Sequence, residues 1–162
     1  MEMCKPQLAL ALMSIAAKFC QTLGYNRLTL TDPAKEPENQ RKVLMFWQVY
    51  IYDRSTALRV GRPPSIPEYD IATEGLDIAR LPRYAPAVIH LHQFWAHVAH
   101  VHGELSSRLY SPVGVQQKPE QRMHLVRALA AKLQSAWTRR TQVGAVTADC
   151  TANHADMSVG QR

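Results

Sequence analysis

Cysteine is scarce: the 162 residues hold three, Cys4, Cys20 and Cys150. Their odd number and wide spacing suit neither a disulfide framework nor paired zinc ligands. Reduced thiols are expected, and no cofactor or metal ligand set. Long apolar runs are lacking too. The longest, Leu8 to Ala17, is ten residues and already contains Ser14, against the roughly 20 that a bilayer span requires. The opening Met1 to Pro6 has no basic stretch leading into an apolar core and a small-residue cleavage site. An intracellular chain with no membrane partner is therefore expected. The chemistry-bearing motifs GxSxG, GxGxxG, HExxH and the phosphate-binding P-loop do not occur, so no catalytic residue is assigned and no enzyme is expected.

Acid is locally short. The formal net charge is +6, and between Lys118 and Arg140 six basic residues meet one acid, Glu120. Such a face permits contact with phosphates. No aromatic interleaving accompanies it, so a solvated helix face is the expectation.

Helical periodicity is present. From Pro6 to Tyr25, Leu8, Leu12, Ile15, Phe19 and Leu23 recur at steps of four, three, four and four, which predicts an amphipathic helix. Pro6 suits its first turn and Gly24 its end. A second run, Glu38 to Val60 closing on Gly61, is apolar on two sides. One carries Val43, Leu44, Trp47, Tyr50, Ile51 and Leu58; the other carries Phe46, Val49 and Val60. Such a helix is the expected centre of the core. If nothing else covers the Phe46 side, that side should face solvent and invite self-association.

The stretch Arg62 to Ala85 is rich in proline and acid and reads as a long packed loop. A third helix is predicted over Pro86 to Tyr110, its stripe formed by Leu91, Phe94, Trp95, Val98, Val101, Leu105 and Leu109. A fourth spans Pro119 to about Thr141, with Met123, Val126, Leu129, Leu133 and Trp137 on one face. From Gly144 onward no apolar period remains, and residues 144–162 are expected to form a disordered tail behind a helical domain of residues 1–143. The fold class expected is all-α, an array of about four main helices with a long proline-rich packed loop.

Five of the seven histidines, His90, His92, His97, His100 and His102, fall within the third helix, where Glu104 is the only acid. Without a carboxylate companion or an HExxH motif they read as a polar face and not as a metal site. His102 lies towards the apolar stripe, as a partly buried, hydrogen-bonded side chain. Asp53, set among bulky apolar residues, needs a guanidinium or backbone donors, and Arg54 and Arg62 are candidate partners. A structural polar cluster is the expected role.

The run RKVLMFWQVYIYDRSTALRVGRPPSIPEYDI, Arg41 to Ile71, resembles the signature of the fungal-specific transcription factor domain, the helical middle region of binuclear zinc-cluster regulators. In that family a basic residue or two precedes Leu-Phe-Trp, Tyr and Asp-Arg follow on the same helix, and the helix ends in Gly-Arg-Pro. The matching positions are Arg41, Lys42, Phe46, Trp47, Tyr50, Asp53, Arg54, Gly61, Arg62 and Pro63. Upstream, AKFCQTLGYNR, Ala17 to Arg27, is similar to the family's helix ending in Leu-Gly-Leu-His-Arg, with Tyr25 and Asn26 in place of Leu-His. Downstream, Leu109-Tyr110-Ser111 is similar to the end of the family's next helix. The resemblance covers Ala17 to about Ser111 and implies a partial version of the family's regulatory domain, acting in the nucleus through effectors, protein partners or homodimer formation. Family members bind zinc and DNA through a separate six-cysteine motif, which three scattered cysteines cannot build. The resemblance thus implies DNA contact only through a zinc-cluster domain that this chain lacks. A stand-alone helical interaction module that competes with longer relatives is the second reading.

Overall fold

The computed structural model describes residues 5–28, 36–72 and 81–157. The chain is all-α: helices α1 (Pro6–Thr22), α2 (Glu36–Val60), α3 (Pro86–Arg108), the single turn α4 (Pro112–Val115) and α5 (Pro119–Met157), with short 3-10 turns at Tyr25–Arg27 and Glu68–Asp70. No strand occurs among the described residues. The four long helices are the four that the apolar periodicity predicts.

Prolines open α1 and α3, where a missing N–H costs nothing. Glycines end α1 and α2: Gly24 has φ 73° and Gly61 φ 68°, a left-handed conformation that a Cβ disfavours. After α2 the Arg62 N–H bonds the Ala57 carbonyl at 2.9 Å and the Gly61 N–H bonds Leu58 at 3.2 Å. This Schellman pairing satisfies carbonyls that the helix end would otherwise orphan.

The helices pack in the order α1, α2, α3, α5, each against the next. Between α1 and α3, α2 forms the centre of the main core, where Phe46, Tyr50 and Ile51 meet Ala17 and Cys20 of α1, Ala99 of α3 and Ile66. A second cluster joins Val43 to Leu81 and Ile89. On its other side α3 contributes Val101 and Leu105 to a cluster with Leu109, Leu125, Leu129 and Leu133. Burial raises the Cys20 thiol above its usual pKa, which keeps it protonated and inert.

Three expectations are corrected. Phe46 does not face solvent: it is fully buried, Val49 packs on the same cluster, and Val60 is half-buried. The reason is that α1 presents its small residues, Ala17 and Cys20, and comes close enough to cover that side of α2. In consequence the large stripe of α1 points away from the core, with Leu8, Leu12, Ile15, Phe19 and Leu23 each 54–63% exposed. On α3 the small Ala99 and Gly103 are buried beside Ile89 and Val101, while Leu91 and Trp95 of the predicted stripe are exposed.

The third correction concerns the chain's end. Helix α5 does not stop near Thr141 but continues as helical backbone to Met157. The segment from Gly144 lacks an apolar period, yet Ala145, Ala148, Ala152 and Ala155 supply the strongest intrinsic helix propensity of any residue. Of the long loop's described parts, residues 61–72 and 81–85, Ile66 and Leu81 are buried in the core clusters while Arg62, Pro63 and Tyr69 are exposed; residues 73–80 of that expectation and 158–162 of the tail lie outside the described residues.

Candidate functional site

The chain leaves α2 through Gly61, and Pro63 and Pro64 turn it back along the helix without needing N–H partners. This return brings the backbone over Asp53 and Arg54, about two turns before the helix end. Asp53 is fully buried. Its Oδ2 accepts the Ser65 N–H at 2.8 Å and the Ile66 N–H at 3.1 Å. Its partners are therefore backbone donors and not a guanidinium.

Arg54 completes the staple from the other polarity. Its Nη2 donates to the Ile66 carbonyl at 3.2 Å and to Glu68 at 2.5 Å. The guanidinium carbon lies 4.4 Å from the centroid of the Tyr50 ring, a cation–π contact in a site where the arginine is 4% exposed. The Tyr50 hydroxyl also donates to Glu68, at 3.4 Å. Burial pushes that hydroxyl well above the usual phenol range, with the Arg54 charge only partly opposing it, so Tyr50 remains a donor.

On α3, Gly103 makes room for Arg54. A Cβ built there would stand 1.6 Å from Arg54 Nη1. Further along the same helix face, His100 Nδ1 lies 2.9 Å from Glu68 and Nε2 lies 3.6 Å from Glu104. Glu104 in turn accepts from Lys132 of α5 and from Arg108. Burial raises the Glu104 carboxyl, and the hydrogen bonds from Lys132 and Arg108 outweigh it, so the net pKa is lowered. The result is a chain of polar contacts, Arg54, Glu68, His100, Glu104 and Lys132, from α2 through the loop and α3 to α5.

The other end of the loop is fixed against α1. Asp70 accepts from Gln21 at 2.9 Å and from Arg27 at 2.7 Å, and these hydrogen bonds hold its carboxyl below the usual range. The Asn26 side chain donates to the Asp70 carbonyl at 2.7 Å, and the Ala72 N–H returns to Asn26 at 2.8 Å. Residues 65–72 thus lie pinned between α1, α2 and α3.

Beside this staple runs a groove of about 1100 Å³, bounded by the end of α2, the 61–68 loop and the second half of α3. Arg54 and Ile66 contribute to its lining, together with Arg59, Arg62, Pro63 and Tyr110. Arg59 and Arg62 are exposed and make no ion pair among the described residues. The groove offers an apolar wall and a cationic mouth, which suits binding. Its Ser107 hydroxyl donates to the Gly103 carbonyl of its own helix at 2.9 Å.

The eight sequence-predicted residues divide by role. Phe46 and Trp47 belong to the core, Trp47 meeting Phe46 and Tyr50 edge-on at 5.6 and 5.1 Å. Tyr50, Asp53 and Arg54 form the staple, Gly61 ends the helix, and Arg62 and Pro63 stand exposed at the groove. Glu68 and Gly103 were not expected in the site, and His100 and Glu104, read only as part of a polar helix face, join it through Glu68. Gly103 carried its own signal, as a glycine inside a helix that otherwise has no reason for one.

The remaining histidines of α3 take separate partners. His92 meets Gln48 at 3.0 Å, His90 meets Gln93 at 3.1 Å, and His97 meets Arg139 at 3.5 Å. His102 lies 3.3 Å from the Ser55 hydroxyl. Its pKa is lowered first by burial and then by the Arg59 charge; for His97 burial leads and the Arg139 charge follows. Among the described residues no group of three or more His, Cys, Asp or Glu is placed to hold a metal ion.

The basic face of α5 is largely engaged. Arg122 caps the Leu109 and Gly114 carbonyls at 3.1 and 2.8 Å, Lys132 pairs with Glu104, and Arg140 lies over the Phe94 and Trp137 rings at 4.9 and 5.4 Å. Among the described residues no helix is long and apolar enough to cross a membrane. No family model, no curated protein and no solved structure matches the chain.

Proposed function

We propose that the chain is a regulatory-domain fragment of a fungal zinc-cluster-type transcription regulator, working in the nucleus through effector or protein interactions and contributing no zinc cluster of its own. One observation carries this reading. The residues of the resemblance form one structural device: a core helix (Phe46, Trp47, Tyr50), a buried staple (Asp53, Arg54) and a helix terminator (Gly61), which together place Arg62 and Pro63 on the wall of an open groove. A regulatory domain needs such a rigid frame beside an accessible binding surface, because an effector shifts activity only through differential contact with a structured element. Among the described residues of the groove, the Ser107 hydroxyl bonds the Gly103 carbonyl and the Ser111 hydroxyl accepts from the Gly114 N–H, and the groove is read as a binding surface.

The test is a fusion of the full chain to a heterologous DNA-binding domain in a fungal reporter strain. The regulator reading expects nuclear fusion protein and a change in reporter transcription that Asp53→Ala abolishes. A nuclear, folded fusion that leaves transcription unchanged contradicts it and favours the alternative, a stand-alone module that competes with longer relatives.

A further inference from the structure

Among the described residues, the stripe on α1 is the largest run of big apolar side chains that the fold leaves exposed. Leu8, Leu12, Ile15, Phe19 and Leu23 are 56, 54, 54, 63 and 59% exposed. At about 100° per residue they fall within an arc of roughly 80°. The buried Ala17 and Cys20 lie roughly 100–160° around from the centre of that arc, so the stripe faces away from α2.

We infer that this stripe is a dimer interface whose occupant is a second copy of α1, laid antiparallel about a two-fold axis between Ile15 and Ala16. Three features of α1 fit that occupant. The first is spacing. Leu8 and Leu12 are four apart, as are Phe19 and Leu23, and Ile15 stands between the pairs. The pattern is close to palindromic, so a reversed copy sets Leu8 opposite Leu23, Leu12 opposite Phe19, and the two Ile15 side chains one residue apart across the axis, each contact recurring in its symmetric pair as an isologous interface requires.

The second feature is charge. Residues 6–22 contain no acid and one cation, Lys18, which sits about 100° off the centre of the stripe. In the antiparallel register Lys18 meets Met13 of the second copy, so like charges are not opposed, and no acidic or basic helix has a complementary pattern to read here. The residues beside the stripe, Ala11, Ala16 and Thr22, are small and let two helices approach closely.

The third feature is area. With about 150–200 Å² for each large apolar side chain, the exposed fractions give roughly 500 Å² per copy. Two copies bury roughly 1,000 Å², close to the smallest area that sustains a specific interface. A concentration-dependent dimer in exchange with monomer is therefore expected, and not a permanent one.

The inference is independent of the regulator reading, because it rests on α1 alone. Sedimentation velocity of the full chain across a roughly hundredfold range of concentration should show monomer passing to dimer. Leu12→Glu and Phe19→Gln, both at exposed positions, should each give monomer throughout while keeping the parent's thermal transition. Ile15→Cys should form an interchain disulfide under mild oxidation, identified as an Ile15→Cys-to-Ile15→Cys cross-linked peptide. A chain that stays monomeric over the whole range overturns the inference, as does a dimer that survives both substitutions or an Ile15→Cys variant that dimerises without forming the bond. A monomer that sediments with anionic phospholipid vesicles would assign the stripe to a membrane surface, and would equally overturn it.

Discussion

A glycine inside a helix costs about 1 kcal/mol against alanine, so Gly103, buried in the middle of α3, has to be explained by what it touches. The Arg54 guanidinium occupies the space of its missing Cβ. Although the guanidinium is the flexible end of its side chain, displacing it breaks the bonds to Ile66 and Glu68. Gly103→Ala should accordingly destabilise the protein by about 1–3 kcal/mol despite its better propensity. In an Arg54→Ala background the same change should be neutral or stabilising, and thermal melts of the four proteins would show that reversal of sign. Stabilisation by Gly103→Ala in the parent would contradict the contact.

Titration provides a second residue-scale prediction. His102 and His97 have lowered pKa values in the folded chain, so the unfolded chain binds protons more readily as pH falls through about 6.5. The stability these neutral imidazoles allow is complete above that value and is lost as pH falls through their folded values. His102 is faced by Ser55 and Arg59 of α2. His102→Gln should therefore flatten part of the drop in denaturant midpoint between about pH 7 and 5. Glu104 and Asp70, lowered by their donors, act in a separate window: their contribution holds above about pH 4.5 and disappears as pH falls through their folded values. A denaturant midpoint that stays flat across both windows would contradict these assignments.

At the level of the element, the glycines separate conformation from crowding. Gly61 has φ 68° and no atom within 4 Å of a built Cβ, so Gly61→Ala should cost about 1 kcal/mol through backbone strain alone. At Gly114 a Cβ would meet the Arg108 carbonyl oxygen at 2.4 Å, and the α3–α4 corner that Arg122 caps must shift. Gly114→Ala should cost more than Gly61→Ala, and paired urea titrations would rank them. Equal effects would mean that crowding at the corner relaxes freely.

Which segments are helical was legible from the sequence; which faces they bury was not. Period alone finds α1, α2, α3 and the first part of α5, because apolar spacing near 3.6 is independent of partner. The inward face of α1 is Ala17 and Cys20, and that of α3 towards α2 includes Ala99 and Gly103. Small residues allow close helix approach, a tertiary effect that a hydrophobicity plot weights against. The continuation of α5 to Met157 was missed for the opposite reason, since alanine propensity leaves no apolar period.

Across the whole molecule, the candidate site was legible where it lies in one segment and hidden where it is assembled. Asp53 and Gly61 could be read as a buried carboxylate and a terminator, whereas Glu68, His100 and Glu104 become one connected polar chain only when the loop folds back between α2 and α3. The α5 cations follow the same rule: Arg122, Lys132 and Arg140 are used by α3, α4 and their own aromatic neighbours. Any DNA affinity of the chain should therefore be weak, indifferent to sequence and lost at moderate salt. A competition binding assay in which sequence preference survives physiological salt would contradict that.

The central claim is that Asp53 and Arg54 staple the returning loop, making α2, the loop and α3 one body beside the groove. Amide hydrogen exchange tests it most directly, because Ser65 and Ile66 lie outside any helix and their N–H groups both donate to Asp53 Oδ2. The account predicts slow exchange at both amides, and in Asp53→Asn a local loss at residues 65 and 66 while the α3 amides stay protected. Fast exchange at Ser65 and Ile66 in the unmodified chain would contradict it.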